Sequence, residues 1–500
     1  MVIEMSKYLT PENASLGLKQ VISDVNSGDT ILFDIKAEYH FYKDFSEHKV
    51  CHMTNTDSFK NPDKYFAFMI ENKENITIDG NGSTLVVHGA MCAFALFNCK
   101  NIVFKNLRIT YNSPTNYELT VISKNSNKIR YSIPESTDFI VKGKSIKFFE
   151  QSPFSKKNYY EYKNNSQCYC NVIHREGKVF RTQLSPIKGT IRINRLNKTE
   201  IECTYIIPPA FNLGDTVTMS KNWSRDNCGL FFCECSNIVS ENITVNYMHG
   251  FGWLSQMCEN LTFNNIKFTP DFERGYTVSS FADLIHVCGC KGYVNISNCL
   301  FEHPHDDGIN IHGAFLRFEK QLSSHTAMFE FVHKQQGGYK NFFKGDKVKF
   351  YSRMDLGELD GVYTVKDTFD DIDNKLVTIT FNEELPVMKS KMVVAENITY
   401  NPKVTISDCL FRDIPTRGIL CTTTEESEIK NNTFKNLIMP DIFISCDCKD
   451  WYESGPCKSM KIHNNTFSQK NPIKFEPICI GKPVKNVHEN IEIYDNKEEF

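Results

Sequence analysis

A chain of 500 residues, 41% of them apolar, has ample material for a folded core and is too hydrophobic to be disordered. Its 57 basic and 60 acidic side chains leave a formal charge of −3. The basic residues are scattered, so no nucleic-acid or anionic-membrane surface is expected.

No run of about 18 apolar residues offers a membrane span, and Met1-Val2-Ile3-Glu4-Met5-Ser6-Lys7 lacks the apolar core of a signal peptide. A cytoplasmic location is therefore expected. The 19 cysteines fit that reading: the number is odd and no C-x-x-C occurs. The C-x-C pairs Cys168/Cys170, Cys233/Cys235, Cys288/Cys290 and Cys446/Cys448 miss the usual spacing of structural zinc sites. They read as small buried hydrophobes in a reducing compartment, and neither a metal nor a cofactor is expected.

In chain order, Leu18, Val21, Ile22 and Val25 recur at i, i+3, i+4 and i+7, which predicts an amphipathic helix over residues 13–25. Gly28-Asp29 marks a turn, and Thr30 to Tyr42 reads as one strand. A helix in this position would close the open end of a stack of β-coils. A pattern then repeats: apolar, x, apolar, x, Asn or Asp, x, x, apolar. It appears as Ile102-Phe104-Asn106-Ile109, Leu261-Phe263-Asn265-Phe268, Val294-Ile296-Asn298-Phe301, Val404-Ile406-Asp408-Phe411 and Met460-Ile462-Asn464-Phe467. Weaker copies centre on Asn242 and Asn431. The corner residues Asn242, Asn265 and Asn298 are spaced 23 and 33 apart, and Asp408, Asn431 and Asn464 repeat those two spacings. Such repeats read as coils of a right-handed parallel β-helix, each burying its apolar face against the next. Asn suits the corner because it tolerates the left-handed conformation.

Two gaps interrupt the rhythm and divide the chain. Residues 1–112 form the N-terminal cap and first coils. Residues 113–220 are an inserted β-barrel-like module, 221–313 the central coils, 314–402 a second such module and 403–500 the last coils. The inserts share a Gly-Asp-x-Val hairpin, at Gly214-Asp215-Thr216-Val217 and Gly345-Asp346-Lys347-Val348. Excursions off a coil edge commonly wall a groove.

Chemistry concentrates at Glu302-His303-Pro304-His305-Asp306-Asp307-Gly308-Ile309-Asn310-Ile311-His312-Gly313. Ile309 and Ile311 alternate with Asn310 and His312, as in a half-buried strand. Asn310 and His312 are thus candidates to face a groove and bind substrate. Aligning this strand with its neighbours stacks Asp283, Asp307 and Arg417 in one column, with Asp306 beside them. Coils lie about 4.8 Å apart, so these carboxyls cannot all ionise freely. One rises in pKa and serves as an acid while another stays a base. That pairing is what glycoside hydrolysis needs, although spacing alone leaves inversion and retention both open. Aromatic rings stack on sugar faces, which makes Trp253, Trp451 and Trp223 candidates. Glu453, beside Trp451, can hold hydroxyls, as can Arg417.

The His305-Asp306-Asp307-Gly308-Ile309-Asn310-Ile311-His312-Gly313 stretch resembles glycoside hydrolase family 110, the α-1,3-galactosidases. So do Asp283, 23 residues before Asp306, Arg417-Gly418-Ile419-Leu420 and Trp451-Tyr452-Glu453-Ser454-Gly455. The resemblance covers most of the chain, both inserts included. It implies a β-helix carrying two β-barrel modules, an inverting and metal-independent reaction, and release of terminal α-1,3-linked galactose from a glycan such as a blood-group-B-type structure. It further implies a general acid at Asp283 and a water-activating base at Asp306, Asp307 or both. Two rivals stand beside it. A polygalacturonase-like hydrolase also uses a paired Asp, but its G-H-G and R-x-K elements are missing here. A non-catalytic glycan-binding β-helix would have no need of three mutually repelling carboxylates.

Overall fold

The structure is a computed structural model that describes residues 1–163, 171–220 and 225–499; Trp223, Cys168 and Cys170 lie outside the described residues. The chain winds as a right-handed parallel β-helix whose coils share one continuous core. Helix Ser15–Asp24 lies at the N-terminal end, with Leu18 and Val21 turned into that core. The segment from Thr30 to Tyr42 is two strands, not one. Thr30–Leu32 pairs with Glu74–Asp79, whereas Glu38–Tyr42 pairs with Thr84–His88. A turn at Lys36, φ 51°, divides them and sends the second strand to the next side of the coil. Among the described residues no helix is long and apolar enough to cross a membrane.

The repeat pattern maps onto the stack residue by residue. Asn106, Asn242, Asn265, Asn298, Asp408, Asn431 and Asn464 all have φ between 54° and 59°, the left-handed corner that the pattern calls for. Their side chains bond from coil to coil, as where the amide of Asn265 donates to Asn242 at 2.8 Å. The apolar residue three positions on forms a file of stacked rings, Phe268, Phe301, Phe411, Phe434 and Phe467, with centroids 4.6–5.3 Å apart. Asn265→Ala keeps the corner but forces alanine into the left-handed region and removes a rung of the ladder. It should cost about 1–2 kcal/mol, read as a lower urea midpoint, whereas Asn265→Gly should cost less.

The cysteines have a matching structural use. Every described cysteine is free. Several sit just inside a corner, where the sulfur accepts a backbone N–H from the neighbouring coil: Cys258 N–H to Cys290 at 3.2 Å and Cys299 N–H to Cys409 at 3.4 Å. Further along the same file asparagine takes over. The N–H of Cys409 donates to Asn432, that of Asn432 to Asn465 and that of Asn465 to Asn496, each at 3.0 Å.

The two inserts differ in construction. In the first, strands between Asn116 and Ser220 form a seven-stranded antiparallel sheet. It shares one core with a three-stranded sheet, Asp138–Lys142, Ser145–Gln151 and Asn158–Lys163. In the second, strand Ile309–Gln321 leaves the coil and continues into the module. There it pairs with Thr326–Glu330 on one side and Val393–Asn397 on the other. The remaining pairings close an antiparallel barrel around its own core. The strand that carries Asn310 and His312 is therefore anchored at both ends.

Candidate active site

Parallel pairing fixes the column. Ile285 lies beside Ile309, and Ile309 beside Ile419; each of them opens its strand, and two residues before them come Asp283, Asp307 and Arg417. Main-chain bonds lock this order. Leu284 N–H donates to Asp307 O and Gly308 N–H to Arg417 O, both at 3.0 Å. Gly308 packs so closely that an added Cβ would lie 2.6 Å from the carbonyl oxygen of Gly418. One oxygen from each of Asp283, Asp306 and Asp307 falls within a set spanning at most 4.8 Å. The three acids thus share a single locus although they come from two coils.

Three guanidiniums surround them. Arg417 forks onto Asp307, Nε to Oδ1 at 2.9 Å and Nη2 to Oδ2 at 2.8 Å. Arg181 reaches Asp306 Oδ1 at 3.0 Å, and Arg225 pairs with Asp306 Oδ2. Burial alone would raise Asp306, but the charges of Arg181, Arg225 and Arg417 outweigh it and hold this carboxyl below its ordinary value. Among the described residues no guanidinium is hydrogen-bonded to Asp283, although the charges of Arg225 and Arg417 pull on it. Burial, then the charge of Asp306, pushes it up to about 7. Burial also lifts Asp307 to about 7 against the pull of Arg417. Of these two, Asp307 is the one gripped by a guanidinium, so the proton they compete for rests on Asp283.

The acids line a cavity of about 450 Å³, together with Asn310, Arg417, Glu453 and Trp451. Trp451 is 39% exposed and its ring packs on His333 with centroids 4.3 Å apart. Its loop is pinned by Asp447, which accepts the N–H groups of Lys449, Asp450 and Trp451 at 2.7–2.8 Å. Glu453 accepts from Asn55 Nδ2 at 3.0 Å, and Glu453–Ser454 pairs with Gly313–Ala314. A concave site that combines an aromatic ring with convergent charged groups suits a hydroxyl-rich ring.

Two residues expected at the site are elsewhere. Trp253 is wholly buried and packs edge-on against Phe104, Phe232 and Phe263 inside the coils. It stands beside Ile285 in register, on the inward-facing side. His312 is 2% exposed and does not line the cavity; it lies behind Glu453, 3.4 Å from Oε1. Residues that sequence reasoning missed are Arg181 and Val172 of the first insert, Arg225 just after it, Phe281, His333 and Gln335 of the second insert, and Asn55. Arg225 follows the insert directly and re-enters the coil beside the acids, which is a weak signal. Arg181 carries none, because its place depends on how the insert folds back.

No family model matches this chain. It is 32% identical to alpha-1,3-galactosidase A of Bacteroides thetaiotaomicron, across 97% of this chain and 84% of the relative. The chain belongs to glycoside hydrolase family 110, the α-1,3-galactosidase family. Two further relatives also match over most of the chain. Alpha-1,3-galactosidase A of Bacteroides fragilis is 30% identical over 97% of this chain and 80% of the relative. Alpha-1,3-galactosidase B of Parabacteroides distasonis is 28% identical over 90% and 73%. Among solved structures, the family 28 exopolygalacturonase of Yersinia enterocolitica aligns with a TM-score of 0.37 and 9% identity, covering 100% of this chain and 66% of that one, a likeness too slight to argue from.

Proposed function

We propose that this protein is an exo-acting α-1,3-galactosidase that hydrolyses terminal α-1,3-linked galactose with anomeric inversion and without a metal. The observation that carries this reading is the stacking of Asp283 on Asp307, with Asp306 alongside, at the wall of one cavity. Family membership adds the linkage. Asp283, the protonated member of the cluster, gives its proton to the glycosidic oxygen. The Asp306–Asp307 pair takes a proton from the attacking water. Arg417, Glu453 and Asn310 hold hydroxyls, and Trp451 faces the ring. Metal independence is supported by Arg181, Arg225 and Arg417, which already engage the oxygens that a cation would need. A reducing compartment is supported by the free, buried cysteines.

One observation favours a second outcome. Retaining glycosidases bring their two carboxyls to about 5–5.5 Å, and inverting ones keep about 6.5–9.5 Å for a water. The closest oxygens here lie nearer the first range. Against a nucleophilic role, both oxygens of Asp306 and both of Asp307 are bound by guanidinium groups.

The test is release of galactose from an α-1,3-linked disaccharide, with α-1,4- and α-1,6-linked isomers as controls. Activity should fall as pH rises through about 7, where Asp283 loses its proton. An alkaline limb well above pH 8 would reassign the acid.

A further inference from the structure

Behind the cavity wall a chain of hydrogen bonds runs away from Asp283. His286 Nδ1 lies 2.8 Å from Asp283 Oδ2. His286 Nε2 lies 2.9 Å from His312 Nε2. His312 Nδ1 lies 2.6 Å from the carbonyl oxygen of Gly313, and its Nε2 lies 3.4 Å from Glu453 Oε1. Both imidazoles are buried, and their rings meet edge to face with centroids 4.8 Å apart. Phe251 packs edge-on against His286.

The partners dictate where the protons sit. A carbonyl only accepts, so His312 Nδ1 carries a hydrogen. Burial works against a charge on His312, but Glu453 and Cys288 overcome it and push the ring up to about 10; it is an imidazolium and Nε2 also donates. His286 is held well below its ordinary value by burial and by the charge of His312, so it is neutral. It accepts from His312 at Nε2 and donates from Nδ1 to Asp283 Oδ2. Asp283 Oδ1 has only the long 3.4 Å contact from Asp307 N–H among the described hydrogen bonds. It is therefore the oxygen that presents the transferable proton. The other charged groups that bear on Asp283 are Asp306, Arg225, Glu453 and Arg417, and Arg225 and Asp306 also bear on His286.

We propose that His286 and His312 are a buried positioning pair: His312 donates to His286 Nε2 and so fixes its tautomer, and the Nδ1–H of His286 then occupies Asp283 Oδ2 and leaves the proton of this carboxyl on Oδ1. The proposal rests on the reading of Asp283 as the acid. His286 and His312 do not line the cavity and act through Asp283, as positioning residues.

The test uses the full chain labelled with ¹⁵N-histidine. Without substrate near pH 7, imidazole nitrogen spectra should show His312 protonated at both nitrogens and His286 neutral with its hydrogen on Nδ1. A neutral His312, or a His286 carrying its hydrogen on Nε2, overturns the proposed pair. In His312→Gln, kcat on an α-1,3-galactoside should fall about tenfold with KM unchanged. Its alkaline limb should move up by about one pH unit, because loss of a nearby positive charge favours the protonated carboxyl. An unmoved limb with normal kcat also overturns it. The spectra need no substrate, so a wild-type enzyme that releases no galactose refutes the proposed function separately. An active enzyme with a neutral His312 refutes only the positioning pair.

Discussion

Asp283→Asn should fold normally and turn over an α-1,3-galactoside about a thousandfold more slowly than the parent, within the 10²–10⁴ that a positioned acid contributes. Asparagine keeps the shape and an oxygen for the Nδ1–H of His286, now at 2.8 Å from Asp283, but it has no proton to give. It also removes a carboxyl that burial and the charge of Asp306 make costly to ionise, so the melting temperature should hold or rise. The same variant should recover much of its rate on an aryl galactoside whose leaving group departs without protonation. Full activity on the natural linkage would place the acid elsewhere. Loss on both substrates alike would make Asp283 a binding residue.

Arg417→Met should do more damage to stability. Asp307 is 2% exposed and its two oxygens are both committed to Arg417. Removing one partner of a buried pair typically costs about 3–5 kcal/mol, because the remaining charge is uncompensated. Asp307 would take up a proton instead of staying charged, so the base is lost as well and activity should fall at least about a hundredfold. Adding Asp307→Asn to Arg417→Met removes the stranded carboxyl. That double variant should regain part of the stability in urea unfolding and none of the activity, a coupling that a double-mutant cycle measures directly. Equal losses in the single and double variants would mean that Arg417 acts by packing over Phe443, 5.3 Å from its guanidinium, and not through its charge.

Much of this was legible in the sequence because coil repetition is a strong constraint. An Asn at a left-handed corner is visible as a spacing, and once two corners are aligned the residues between them follow in register. That is how Asp283, Asp307 and Arg417, far apart in the chain, could be stacked before any coordinates. The same register argument, carried one coil further, sets Trp253 beside Ile285 and hence inside; its indole invited a sugar-binding reading that the inward face rules out. His312 alternates correctly with Ile311 but is screened from the cavity by Glu453, a relation across strands that alternation does not encode. The break at Lys36 was hidden because the apolar alternation of Thr30 to Tyr42 continues across a corner. The inserts were visible as gaps and not as walls. Arg181 reaches Asp306 only through the fold of a separate antiparallel module, for which the coil repeat offers no template.

In the proposed reaction, two coils set Asp283 and the Asp306–Asp307 pair on one bound sugar to cleave an α-1,3-galactosidic bond with inversion. Proton NMR of the reaction mixture, followed from the first minutes with an α-1,3-linked galactosyl disaccharide, reads sugar, linkage and anomer together. β-Galactose should appear first and then mutarotate. α-Galactose appearing first would contradict inversion, and no galactose at all would contradict the assignment of this site to α-1,3-galactoside hydrolysis.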